Sequence, residues 1–144
     1  MNFRILQLED YDKNFLDILR TLTDVGTWTK ETFQVYVAHQ IIKNPYLEVW
    51  VGYDEETEEL ICCGTILWEP KIIHGGKMVA HIEDIAVQPK FQKKGYGKQL
   101  ILHLIEQAKT RPIYKIILDC SETNTCFYKK CGFTIKGHQM ELRV

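Results

Sequence analysis

Two successive carboxylates, Glu83 and Asp84, stand in an otherwise apolar run, and a basic glycine turn follows them closely. The stretch His81–Lys98 reads His-Ile-Glu-Asp-Ile-Ala-Val-Gln-Pro-Lys-Phe-Gln-Lys-Lys-Gly-Tyr-Gly-Lys. A strand pattern ends near Val87, and Gly95 and Gly97 open a helix. Strand, glycine loop and helix together present bare backbone N–H groups to a phosphate. The carboxylates precede the turn by about four strand residues, roughly 13 Å at ~3.3 Å per residue. An anion cradle beside acid/base groups implies an active site using a phosphate-bearing cofactor.

The cradle, Gln92-x-x-Gly95-x-Gly97, is neither a Walker loop nor a dinucleotide fingerprint. Gly-x-x-x-x-Gly-Lys-Ser/Thr is absent, and Leu100 stands where the fingerprint needs a third glycine. Lys93, Lys94 and Lys98 flank it with the cations a pyrophosphate needs, the alternative being a solvated basic turn. His81-x-Glu83 matches half of a zinc deaminase signature, but no Pro-Cys-x-x-Cys accompanies it. Unpaired charge is costly to bury, so Glu83 and Asp84 in an apolar strand require a use unless one faces solvent at a strand end. Asp119 repeats the anomaly after Ile-Ile-Leu, and three carboxylates at strand ends suit a polar, cationic or hydroxylated substrate. Tyr128 is either a core residue or a phenol able to give a proton to a leaving thiolate. Cys120, Cys126 and Cys131 read as small packing residues, and His39 and His103 as surface or satisfied helix residues. Lys71, His74 and Arg143 read as surface groups that spacing alone does not bring together.

The elements that must hold these groups follow from periodicity. Phe3 to Leu8 reads as a first strand, followed by a helix from Asp10 with Phe15, Leu16, Leu19 and Leu22 at helical spacing. Thr29 caps a second helix with Phe33, Tyr36, Val37, Gln40 and Ile41 inward, and Asn44-Pro45 ends it. The period then changes to two: Leu47–Tyr53 and Leu60–Trp68 form a hairpin across a charged turn, and Met78–Val87 is the central strand. Glu83 and Asp84 point to opposite faces there unless a bulge intervenes. A helix follows with Leu100, Ile101, Leu104, Ile105 and Ala108 as its stripe, then a strand Tyr114–Cys120 and a short helix to Lys130. Phe133–Val144 supplies a last strand. The result is a mixed α/β sheet with a strand–helix–strand crossover, expected as one domain over residues 1–144.

Composition bounds the rest. Hydrophobic residues make up 45% and charged residues 26%, with a net charge of −1, so neither nucleic acid nor a membrane is an expected partner. Five cysteines without a Cys-x-x-Cys argue against a disulfide framework or zinc site and for a reducing, intracellular setting, the cytoplasm being the simplest reading. No apolar run approaches the ~20 residues of a membrane span.

Gln92 to Gly97, with Asn124, Phe127-Tyr128 and Gly132-Phe133 downstream, resembles the GNAT superfamily of acyl-CoA N-acyltransferases. His81–Val87, Tyr114–Cys120, Phe127–Phe133, Leu22-Thr23-x-Val25-Gly26 and Lys71–His74 are similar, more closely, to the glucosamine 6-phosphate N-acetyltransferase family. That resemblance implies a GNAT fold, a mixed central sheet with splayed parallel strands flanked by helices. It implies direct acetyl transfer from acetyl-CoA to the 2-amino group of D-glucosamine 6-phosphate, upstream of UDP-N-acetylglucosamine, without a metal. The cofactor would lie on Gln92, Lys93, Lys94, Gly95, Tyr96, Gly97 and Lys98, along Ile85, Ala86 and Val87, and near Asn124 and Tyr128. Glu83, Asp84 and Asp119 would handle the acceptor's proton, Ile85 N–H the oxyanion and Tyr128 the leaving thiolate. Thr23, Lys71, Ile72, Ile73, His74 and Arg143 would hold the sugar phosphate, with some supplied across a homodimer interface. A short N-terminal segment, the Gly75-Gly76-Lys77 loop and Cys126 depart from the family pattern. Alternatives are another small amine as acceptor, or a non-catalytic acyl-CoA-binding module.

Overall fold

In the computed structural model, which describes residues 1–144, the chain begins with β1 (Asn2–Ile5), a 3-10 turn at Leu8–Lys13 and α1 (Phe15–Leu19). Then come α2 (Lys30–Tyr36), β2 (Leu47–Tyr53), β3 (Leu60–Pro70), β4 (Met78–Val87), α3 (Tyr96–Ala108), β5 (Ile113–Ile117) and α4 (Thr125–Lys129). The strands form one sheet in sequence order, antiparallel except where β4 meets β5. The α3 crossover makes that last pair parallel. No helix is long and apolar enough to cross a membrane.

Both faces of the sheet carry a core. Ile66, Trp68, Ala80 and Ile82 pack against the α3 stripe of Leu100, Ile101, Leu104 and Ala108. On the other face Val49, Val51, Cys63 and Ala86 meet Leu6, Phe15, Ile18, Phe33 and Val37. Burying one such Leu, Ile or Phe contributes roughly 1.5–3 kcal/mol, so these two layers dominate the stability of the sheet.

One irregularity separates the halves of β4. Thr65 lies opposite Glu83, but Cys63 lies opposite Ala86, so three steps on β4 match two on β3. Asp84 takes φ +51°, a conformation that Asp tolerates better than most residues. The extra residue flips the alternation: Ala80 and Ile82 face α3 before the bulge, whereas Ile85 and Val87 do so after it. Gly64 sits opposite, where a Cβ would come within 2.5 Å of Ile85 Cδ1 and 2.8 Å of Leu104 Cδ1. Its lack of a side chain is what lets the bulged strand close on α3.

Several expectations from the sequence are corrected. The first helix is split, because Asn14 takes φ +59° between the 3-10 turn and α1, and Leu22 is exposed. Thr29 does cap α2, accepting from Thr32 N–H. Phe33 and Val37 are its buried residues, while Tyr36 and Gln40 face outward and the helix runs on as a π-helical turn, Val37–Ile42. The strand expected over Tyr114–Cys120 stops at Ile117, its last residue paired with β4. The last strand, Phe133–Val144, does not form: these residues have no regular structure, and Met140 and Leu142 are almost fully exposed. A strand needs a neighbour for its backbone groups, and this chain offers none beside that segment. Cys131 is buried as a packing residue, but Cys120 and Cys126 are exposed.

Candidate active site

The bulge and the end of β5 coincide. β4 and β5 pair from Met78 and Ile113 to His81 and Ile117, and beyond that the strands part. The β5-facing edge of β4, from Ile82 to Val87, therefore has no strand beside it. Asp84 and Ile85 also lack register partners on β3, so their backbone groups lie outside the ladder. The alternating apolar pattern of β4 thus continues into a segment with bare N–H and C=O groups.

Glu83 is half-buried on this rim, and Asp84 and Asp119 are close enough for their charges to act on it. Burial pushes the Glu83 carboxyl above its ordinary range; His81 opposes that rise, and the charges of Asp119 and Asp84 add to it. Rather than sending Glu83 and Asp84 to opposite faces, the bulge brings both to one place. A carboxyl raised in this way is better matched to accepting a proton near neutral pH than an ordinary surface carboxylate.

Downstream, Gln92 Nε2 donates to Val87 O at 3.0 Å, tying the turn to the end of β4. Lys93 takes φ +61° and Gly95 φ +88°, which turn the chain into α3. Within the helix start, Gln99 N–H reaches Gly95 O at 3.1 Å, and no side chain caps the groups before it. The N–H groups of Tyr96, Gly97 and Lys98 therefore face outward at the positive end of a 13-residue helix. Lys93, Lys94 and Lys98 flank them along the chain, a donor set that fits a pyrophosphate.

Tyr128, on α4, is partly buried, with Phe127 and Phe133 packed edge-on at centroid distances of 5.0 and 6.2 Å. Burial raises its phenol above the ordinary value, so it stays protonated at neutral pH and is available as a donor. Asn124 stands at the start of the same helix without a side-chain capping bond.

The remaining candidates are distributed unevenly. Lys71 bonds Glu69 at the end of β3, and Glu69 in turn meets His81, so this cation adjoins the carboxylate group. His74 stacks on Tyr114 at 4.0 Å, while Ile72 and Ile73 before it are exposed. Thr23 lies exposed in the turn after α1. Arg143 is exposed in the C-terminal segment and pairs with Glu141. The Glu69–His81 contact escaped sequence reasoning; the visible signal was a period-two His81-x-Glu83 opposite a strand with Glu69 near its end.

Comparison with known proteins gives one consistent result. Residues 10–133 match the model of the acetyltransferase (GNAT) family. Glucosamine 6-phosphate N-acetyltransferase of Candida albicans is 37% identical, over 98% of this chain and 94% of its own. Glucosamine 6-phosphate N-acetyltransferase 1 of Dictyostelium discoideum is 39% identical, over 99% and 90%. The crystal structure of glucosamine-6-phosphate N-acetyltransferase from Arabidopsis thaliana superposes with a TM-score of 0.93 at 31% identity, covering 99% of this chain and 97% of that one.

Proposed function

The chain belongs to the acetyltransferase (GNAT) family, and on that premise we propose that it is a glucosamine 6-phosphate N-acetyltransferase. It moves the acetyl group of acetyl-CoA directly to the 2-amino group of D-glucosamine 6-phosphate, giving N-acetyl-D-glucosamine 6-phosphate and CoA. The observation that carries the reading is the bulge at Asp84–Ile85, where Glu83 sits half-buried beside the parting of β4 and β5. It occurs in a chain whose near-full-length relatives bear that name.

Acetyl-CoA supplies the thioester. We assign its pyrophosphate to the N–H groups of Gln92–Gly97 with Lys93, Lys94 and Lys98, and its pantetheine arm to the free edge at Ile85–Val87. Asn124 lines the same cleft. An amine attacks only as the free base, so Glu83, assisted by Asp84 and Asp119, takes its proton directly or through water. Ile85 N–H is the donor to the thioester oxygen, and the Tyr128 hydroxyl donates to the departing sulfur. Cys62, the β3 thiol opposite Val87, is no nucleophile, because burial pushes its pKa up to about 12.

The sugar phosphate requires cations, for which Lys71, His74 and Arg143 serve, with Thr23 as hydroxyl partner and Ile72 and Ile73 as apolar walls. Arg143 supports a homodimer, because its own chain leaves it exposed, paired with Glu141. The segment around it alternates Met140, Leu142 and Val144 with Glu141 and Arg143, a strand pattern whose apolar side is uncovered. A second copy would cover that side and bring Arg143 across. Residues 1–144 then form one domain of each protomer, in a reducing compartment that suits two exposed thiols, Cys120 and Cys126.

Incubation of the folded protein with acetyl-CoA and glucosamine 6-phosphate should release free thiol together with the N-acetylated sugar phosphate, identified by mass spectrometry. No thiol above background at saturating substrates would sink the assignment. A strong preference for a non-phosphorylated amine would move it to another acceptor.

A further inference from the structure

Three side chains form a line across one face of the sheet, ending at Glu83. His81 and Glu83 are two residues apart on β4 and share that face. Leu67 lies opposite His81, so Glu69, two residues further along β3, is its diagonal neighbour. The imidazole Nε2 is 2.9 Å from Glu69 Oε2, and Nδ1 is 3.9 Å from Glu83 Oε1. The side chain of His81 is 24% exposed, against 42% for Glu69 and 45% for Glu83. The ring is therefore the sheltered middle member of a carboxylate–imidazole–carboxylate chain. Lys71 bonds the other oxygen of Glu69 and, with His81, holds that carboxyl below its usual range. The other charged groups facing the line are Asp84 on β4, Lys115 opposite Val79 on β5, and Asp119 beyond β5.

The ionised Glu69 accepts from Nε2–H, which leaves the Nδ1 lone pair turned to Glu83. We propose that His81 is a positioning residue that acts through Glu83, relieving it of the first proton shed by the acceptor. This rests on the acetyl-transfer reading above. Its chemical motive is a count of protons. A protonated amine must lose one proton to become a nucleophile and a second once the N–C bond has formed, whereas one carboxylate holds only one.

The first ammonium proton passes to Glu83 and then, through one water across the 3.9 Å gap, to His81 Nδ1, giving an imidazolium between two carboxylates. Glu83, ionised again, takes the second proton as the N–C bond forms and the C–S bond breaks, and the departing thiolate receives the Tyr128 hydroxyl proton. Two protons then rest on Glu83 and His81. Both leave to water, and Tyr128 regains one from water, so the net reaction releases one proton beyond the thiol's.

The test compares wild type, His81→Gln and Glu69→Gln in the thiol-release assay across pH, alongside 13C carboxyl NMR of Glu83 without substrates. With the imidazole gone, the Glu83 titration and the ascending limb of kcat/KM should move to higher pH. His81→Gln should lower kcat by about tenfold or more, with little change in the acetyl-CoA KM. Glu69→Gln, at the outer end, should move the limb in the same direction by less, and serves if His81→Gln does not fold. Wild-type turnover with unmoved limbs in both variants overturns the relay alone. Absence of wild-type turnover removes the acetyl-transfer reading and the relay with it.

Discussion

Asp10 and Glu83 are both carboxylates drawn from water, at opposite extremes of satisfaction. Asp10 is fully buried, gripped by both Arg4 nitrogens at 2.7 and 2.6 Å, and accepts the Gln7 N–H at 2.9 Å. Every lone pair that matters has a donor, and the pair locks β1 to the turn that follows it. Glu83 is half-buried with no hydrogen-bond donor inside the chain; the side-chain nitrogen beside it, His81 Nδ1, stands 3.9 Å away. Burial raises its proton affinity, and two neighbouring carboxylates raise it further. The difference teaches that a matched charge builds structure, whereas an unmatched one on a rim keeps its proton exchangeable.

Substituting each carboxylate should separate these roles. Glu83→Gln should lower kcat/KM by about 10²–10⁴ if it is the base. The folded protein should be no less stable, because a raised acid binds more protons folded than unfolded. Its ionisation costs stability as pH rises through the folded value, and the amide removes that cost. Activity within tenfold of wild type would break the comparison at its functional end. Asp10→Asn should do the reverse. It strands Arg4 beside an amide, at a cost of about 3 kcal/mol in urea unfolding. The kcat of the folded fraction should stay within about twofold, since the pair lies in the β1 layer and not at the β4 rim. A stability change under about 1 kcal/mol would mean that the Arg4 pair only replaces hydration.

The same contrast marks what the sequence could and could not reveal. The order of strands and helices was legible because period-two and period-3.6 stretches are long here, as in β4 and α3. The glycine turn into α3 was legible from its two glycines, and the three carboxylates because charge inside an apolar run is conspicuous. From sequence Asp10 reads as a helix start, since its partner Arg4 is held by a turn that propensity does not reveal. Whether Glu83 and Asp84 diverged or converged depended on one extra residue opposite Gly64, a register matter that requires both strands. Phe133–Val144 has a strand's alternation, but alternation specifies a face and not a neighbour. The chain supplies the pattern while leaving the ladder unmade.

Tyr128 extends the comparison to an acid. Like Glu83 it is raised chiefly by burial, but a phenol raised in this way is locked in its proton-donating form. Tyr128→Phe keeps the ring between Phe127 and Phe133 and should lower kcat by about tenfold, with a smaller rise in the acetyl-CoA KM. A raised KM with kcat unchanged would make it a wall of the cofactor cleft instead.

His103 is the sharpest challenge to the rule, because it is unsatisfied and yet lies away from the site. Its ring stacks on Phe3 at 4.2 Å and meets Trp50 edge-on at 4.6 Å, with Nε2 buried and unbonded. Imidazole tolerates this where a carboxylate would not, since at neutral pH it can lose its charge entirely, and burial lowers its proton affinity to that end. The unfolded chain takes up a proton near pH 6.5, while the folded chain does so only at a lower pH. Stability is therefore complete above that window and falls as pH drops through it, opposite in sign to the Glu83 effect. His103→Phe retains the stack without the titration. Its urea midpoint relative to wild type should rise between pH 7.5 and about pH 5, a modest shift that should leave kcat unaffected. Parallel pH curves for the two proteins would mean that His103 titrates alike folded and unfolded, and an unmet polar atom would then have no energetic signature even inside the fold.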